Sequence, residues 1–150
     1  MLGGTEMNRE VEFRGLTTKG KWVYGSLVTT NSFIKQRPKQ HTKTWIVESA
    51  FGNGGWFNIL KRSYVKPETV GEFTGLKDKN GINIYEGDIL WYDKDPDTYN
   101  KCEVVFTNLG FSAKHINRPD LPHWSMRGKI GDCGKSLFME VIGNIHENKN

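Results

Sequence analysis

The stretch Lys66–Asp93, KPETVGEFTGLKDKNGINIYEGDILWYD, decides how the rest of the chain is read. Asn80-Gly81 is a strong two-residue hairpin signal, because a type I′ turn needs positive φ at both central positions. Ile82, Ile84 and Tyr85 follow it, Glu86-Gly87-Asp88 breaks the run, and Ile89 to Tyr92 resume it. The pattern predicts strand, tight turn, short strand, sharp bend, strand. Asp88 is expected to accept backbone N–H bonds at the bend, as Asp does in turns.

Upstream, Val11 and Phe13 alternate with Glu12 and Arg14, the period of a half-buried strand. Thr17 to Gly20 reads as a turn. Trp22 to Val28 returns, with Trp22 and Tyr24 on one face and Val23 and Leu27 on the other, and Gly25 marking a bulge or close backbone approach. Trp45–Val47 and Trp56–Leu60 flank Gly52-Asn53-Gly54-Gly55, which predicts a second hairpin. Pro67 pushes Lys66 towards extended geometry, and a lobe boundary is placed at Ser63 to Pro67.

Downstream, a polar loop follows Tyr92. Cys102, Val104 and Phe106 alternate as a strand, Asn108-Leu109-Gly110 turns the chain, and Phe111, Ala113 and His115 go back. Residues 117–135 are dense in turn formers and read as one long irregular segment, a place for function. Leu137–Ile145 is a last strand, with Gly143 as a bulge or bend.

The expected class is mainly β with little helix: eight to ten short strands in a barrel or sandwich. The bend pattern suits a small SH3-like barrel in the C-terminal lobe, about 66–148, behind an N-terminal β-hairpin lobe, about 8–65, of a single domain 8–150. Residues 1–7 are expected to be a disordered extension, since Met7 is internal and Gly3-Gly4 precede it.

The 150 residues suffice for one domain with a real core. Lys plus Arg number 21 against 17 acidic residues, a net charge of +4, which permits nucleic-acid contact without demanding it. Cys102 and Cys133 are the two cysteines. No secretory pattern opens the chain, and no run approaches the ~18 apolar residues of a membrane span. The expectation is two free thiols in a cytoplasmic protein, with no membrane partner.

Lys35, Arg37, Lys39, His41 and Lys43 occupy alternate positions just before Trp45, and Lys61, Arg62 and Lys66 add to the basic side. One reading is a phosphate-contacting loop or edge strand, Lys35, Arg37, Lys39, Lys43, Lys61 and Arg62, with Trp45 stacking on bases. The bland reading is a solvated loop whose lysines discourage edge pairing. Asp78, Glu86 and Asp88 suggest an acidic metal site for phosphodiester chemistry, set against local backbone bonding at the bend. His115, His123, Cys102 and Cys133 lack any CxxC or HxxxH spacing, so no zinc site is assigned. Neither a GxxxxGK[ST] phosphate cradle nor a GxSxG elbow occurs.

Three blocks resemble the YopX family of phage and prophage proteins: EFRGLTTKGKWVYGSLV at 12–28, VKPETVGEFTGLKDKNGINIYEGDILW at 65–91, and EVIGNIHEN at 140–148. The resemblance implies a mainly β, intracellular protein of bacterial or phage-infected cells with no established activity, so no catalytic residue, metal or cofactor carries over. The matching Pro67, Gly71, Gly75, Asp78, Asn80, Gly81, Tyr85, Glu86, Gly87, Asp88 and Gly143 are read as backbone-shaping. His146 stands where the family more often has Tyr. The expected function is non-enzymatic binding of nucleic acid or of a phage or host protein. The alternatives are a homo-oligomer-forming module and, more weakly, a metal-dependent enzyme.

Overall fold

A computed structural model describes residues 10–32, 41–51, 57–92, 101–126 and 139–147. The described strands are β1 (Phe13–Leu16), β2 (Trp22–Ser32), β3 (His41–Phe51), β4 (Phe57–Tyr64), β5 (Gly71–Lys77), β6 (Asn83–Tyr85), β7 (Asp88–Tyr92), β8 (Lys101–Thr107), β9 (Gly110–His115), β10 (Trp124–Ser125) and β11 (Met139–Asn144). A single 3-10 turn at Pro67–Thr69 is the one named helical element among the described residues. The predicted mainly β class therefore holds.

The strands pair into two antiparallel sheets, ordered β4-β3-β2-β1-β5-β6 and β10-β9-β8-β7-β11. Neither closes on itself among the described strands, so the SH3-like barrel expected for the C-terminal half is not what the pairing displays. The first sheet draws strands from both sides of Ser63–Pro67, because β1 pairs with β2 and with β5. Residues 1–7 lie outside the described residues.

The described residues form two apolar clusters, the second of which joins Ile84 of the first sheet to strands of the other. Val23, Ile46 and Val65 anchor the first, with Phe13, Leu27 and Val70 against them. Ile84, Leu90, Cys102, Val104, Ala113, Met126 and Met139 anchor the second. Val23 and Leu27 thus share the inner face of β2, as their alternation with Trp22 and Tyr24 predicts.

The Glu86-Gly87 corner is where the chain leaves β6 in the first sheet and enters β7 in the second. Gly87 has φ +83°, a region that L side chains avoid. Its N–H donates to the Val104 carbonyl at 2.8 Å, and its carbonyl accepts from the Ile145 N–H at 3.0 Å. Asp88 Oδ2 accepts the Tyr85 N–H at 2.8 Å, which is the local role predicted for it.

Four expectations are corrected. Asn80-Gly81 does not form a two-residue type I′ hairpin: Lys77 faces Asn83 across a loop of the intervening residues, and only glycines have positive φ among the described residues. Asp78 wins locally. Its Oδ1 accepts the N–H groups of Asn80 and Ile82 at 2.8 and 2.9 Å, an Asx-type arrangement that removes the need for positive φ at Asn80. Second, Arg14 does not alternate outward but is 8% exposed. Third, Val11 precedes β1 and is exposed. Fourth, the irregular segment 117–135 contains β10, which pairs Trp124 with Ala113 and Ser125 with Ser112.

Other readings are matched. The turn at Asn108-Leu109 joins β8 to β9 through a Thr107–Gly110 pair. Val141 faces Leu90 and Gly143 faces Ile89, leaving Ile142 as an extra residue, so a bulge does lie beside Gly143.

Candidate functional site

Two groups of charged residues were candidates, and the fold treats them differently. Of the acidic set, Asp78 and Asp88 are spent on architecture. Asp78 is fully buried, and besides its two loop amides it accepts the Val141 N–H from β11 at 3.1 Å. Asp88, 1% exposed, takes the Arg14 Nη2 on Oδ1 at 2.6 Å. Arg14 also donates to the Glu86 carbonyl at 3.3 Å. Burial raises the Asp88 pKa; the Arg14 charge, the Tyr85 N–H and the Arg14 and Asn144 hydrogen bonds oppose the rise. Among the described residues, no group of three His, Cys, Asp or Glu side chains is placed to hold a metal ion.

Arg14 is itself enclosed. Its guanidinium carbon stands 4.8 Å from the ring centroids of both Trp22 and Tyr85. Its buried Nε–H has no acceptor among the described residues, so π-faces are its surroundings. Tyr85 closes the arrangement by donating its hydroxyl to Glu12 at 2.6 Å. Desolvation, and then the Glu12 bond, push the Tyr85 hydroxyl pKa strongly upward, which leaves it a neutral donor.

The basic set is partly gathered. Lys35, Arg37 and Lys39 lie outside the described residues. Lys43, Trp45 and Arg62 line one shallow groove of about 420 Å³ on the β2–β3–β4 face, together with Ser26, Val28, Thr30, Val47 and Ile59. Register explains the convergence. Val28 faces Trp45 and Thr30 faces Lys43 across β2–β3, while Val47 faces Arg62 across β3–β4, so alternation puts all of them on one side. The Trp45 ring meets the edge of Tyr64 at 5.4 Å and 72°, and the Arg62 guanidinium carbon stands 5.7 Å from its centroid.

Lys61 does not join them. Adjacent to Arg62 on a strand, it points to the other face, where its Nζ lies 3.8 Å from Glu48. Period-two alternation carried that signal in the sequence. Ile59 was missed for a different reason. Glu48 pairs with Lys61 and Ser49 with Ile59, so Leu60 is one residue too many in β4. The bulge turns Ile59 onto the Arg62 face, and no composition pattern announces it.

The remaining candidates are structural or fall outside the described residues. Cys102 is a free, buried thiol with Sγ 3.7 Å from His115 Nδ1, and burial pushes it up to about 11. Cys133 and Trp56 lie outside the described residues. No described helix is long and apolar enough to cross a membrane.

No curated protein matches the chain. A solved structure, that of protein EF1440 from Enterococcus faecalis, is similar over 93% of this chain and 95% of that one, with 24% identity and a TM-score of 0.50; the likeness is one of fold. The family model described as YopX protein matches residues 12–150. That span takes in both sheets, the Glu-Gly-Asp corner and the β2–β3–β4 face, and the chain belongs to the YopX family.

Proposed function

We propose that this is a binding protein of phage or prophage origin that holds nucleic acid on its β2–β3–β4 face and performs no chemistry of its own. The observation that carries the reading is the meeting of Lys43, Arg62 and Trp45 on one groove with no carboxylate among its described lining residues. Two cations and an aromatic ring supply what a nucleic acid offers partners for: phosphate charge and base surface. Lys35, Arg37 and Lys39 precede β3 in sequence and lie outside the described residues. Two of the three acidic residues that an enzyme would need, Asp78 and Asp88, are occupied by backbone amides and Arg14, which favours binding over catalysis.

Titrating labelled DNA and RNA with the full chain at low salt tests this. Binding should weaken linearly on a log–log salt plot, by roughly 0.7 per phosphate contacted for single strands. No association of any nucleic acid at low salt overturns it.

Self-association is the second reading. β4 ends the first sheet, with Ile59 61% and Leu60 67% exposed. Yet the same strand carries the Leu60 bulge, Lys61 and Arg62, devices that keep edges apart. Sedimentation giving a monomer at micromolar concentration removes this alternative.

A further inference from the structure

Building on the nucleic-acid reading, we infer that the groove selects single strands, seating one unstacked base against Trp45 while Lys43 and Arg62 take the flanking phosphates. Its walls are the reason. Val28, Val47 and Ile59 line the same groove as the indole with apolar surface, and Ser26 and Thr30 add only hydroxyls. Apolar walls around an aromatic ring suit the π-face of a base. A duplex hides those faces inside its stack and presents phosphates and groove edges, so it would engage Lys43 and Arg62 alone.

The indole is held for this task. Trp45 sits on β3, hydrogen-bonded to β2 on one side and β4 on the other, and the Tyr64 ring buttresses it. Arg62 rests near the ring, a place from which it can swing to a phosphate when a base arrives. The Leu60 bulge decides which aliphatic side chain lines the groove: in an unbulged β4, Leu60 would face Ser49, and the bulge seats Ile59 there instead. Glu48, the nearest described carboxylate along β3, is kept on the opposite face beside Lys61. Charge on the described lining of the groove is therefore of one sign.

The test compares a short labelled oligothymidylate with a duplex of the same length at low salt, by fluorescence anisotropy on the full chain. The single strand should bind at least about tenfold more tightly, the scale of one stacked base. Trp45→Leu should remove that preference and leave duplex affinity nearly unchanged. Ile59→Gln, at an exposed position that folding tolerates, replaces an apolar wall without adding charge; it should reduce the preference and carries the test if Trp45→Leu fails to fold. Lys77→Ala, at an exposed site on β5, should change neither. If the duplex binds as well as the single strand, or if Ile59→Gln leaves the preference intact, the inference is overturned while nucleic-acid binding stands. If neither nucleic acid binds, both readings fall together.

Discussion

Arg14 on β1 reaches Asp88 on β7 at 2.6 Å, and so ties the first sheet to the second at the corner where the chain crosses between them. Both groups are almost wholly buried. Removing one partner leaves an uncompensated charge inside the protein, which costs about 3–5 kcal/mol. Arg14→Leu should therefore lower the urea midpoint sharply. The joint Arg14→Met/Asp88→Leu replacement should lose much less than the two single changes added, because neither charge is then stranded. Additive losses would mean the pair is not coupled.

The same carboxyl makes a pH prediction. Burial raises its folded pKa above the unfolded value, so the folded state holds the proton more tightly. The stabilising contribution of Asp88 is then fully present below the unfolded carboxylate pKa and is lost as pH rises through the folded one. Asp88→Asn abolishes this titration. The stability difference between wild type and Asp88→Asn should shrink from acid to neutral pH in urea melts. A difference that grows over that range would mean that the Arg14 charge and the hydrogen bonds to Asp88 outweigh its burial.

Asp78 is the other hidden fastener. It accepts N–H groups from its own loop and from Val141 on β11, while the Lys79 N–H donates to the Met139 carbonyl at 2.9 Å. Asp78→Ala would strand several amides at once, at a cost on the order of 3 kcal/mol. The amides of Ile82 and Val141 should lose hydrogen-exchange protection first, since both depend on the same side chain. Unchanged protection at Val141 would place the link elsewhere.

How much of this fold the sequence yields follows the range of each interaction. The Glu86-Gly87-Asp88 corner is legible because its parts are neighbours: a glycine for positive φ and a carboxylate three residues from the amide it caps. Arg14 is illegible for the opposite reason. Its partner lies 74 positions away, and its alternation with Phe13 mimics a surface residue. Asn80-Gly81 misleads because Asp78, two residues earlier, offers the loop a competing set of bonds. The basic face is half legible. Lys43, Trp45 and Arg62 are found by type and proximity, whereas Ile59 depends on a bulge that only the pairing of β3 with β4 reveals.

Gly25 gives a sharp test of local geometry. It lies where β2 passes from pairing with β1 to pairing with β3, with φ +144°. A Cβ there would strike the Val47 carbonyl oxygen, which is backbone and cannot move aside. Gly25→Ala should cost about 2 kcal/mol or more through strain and displaced pairing. A urea midpoint equal to wild type would show that β2 can shift without loss.

Cys102 separates a buried thiol from a reactive one. With its pKa pushed up to about 11 by burial, only about one thiol in a thousand is ionised at pH 8, and the thiolate is the nucleophile. The His115 ring beside it would matter for reactivity only if it drew the proton away, and the apolar cluster of Val104, Ala113 and Met139 around the sulfur opposes the charge that would result. In a Cys133→Ser chain, iodoacetamide should modify native Cys102 at least about 100-fold more slowly than the urea-unfolded protein. The native rate should then rise with added denaturant, as global opening comes to control access. Labelling at the same rate in native and unfolded protein would mean that His115 activates the thiol, and that this corner of the second sheet is a reactive site rather than part of the core.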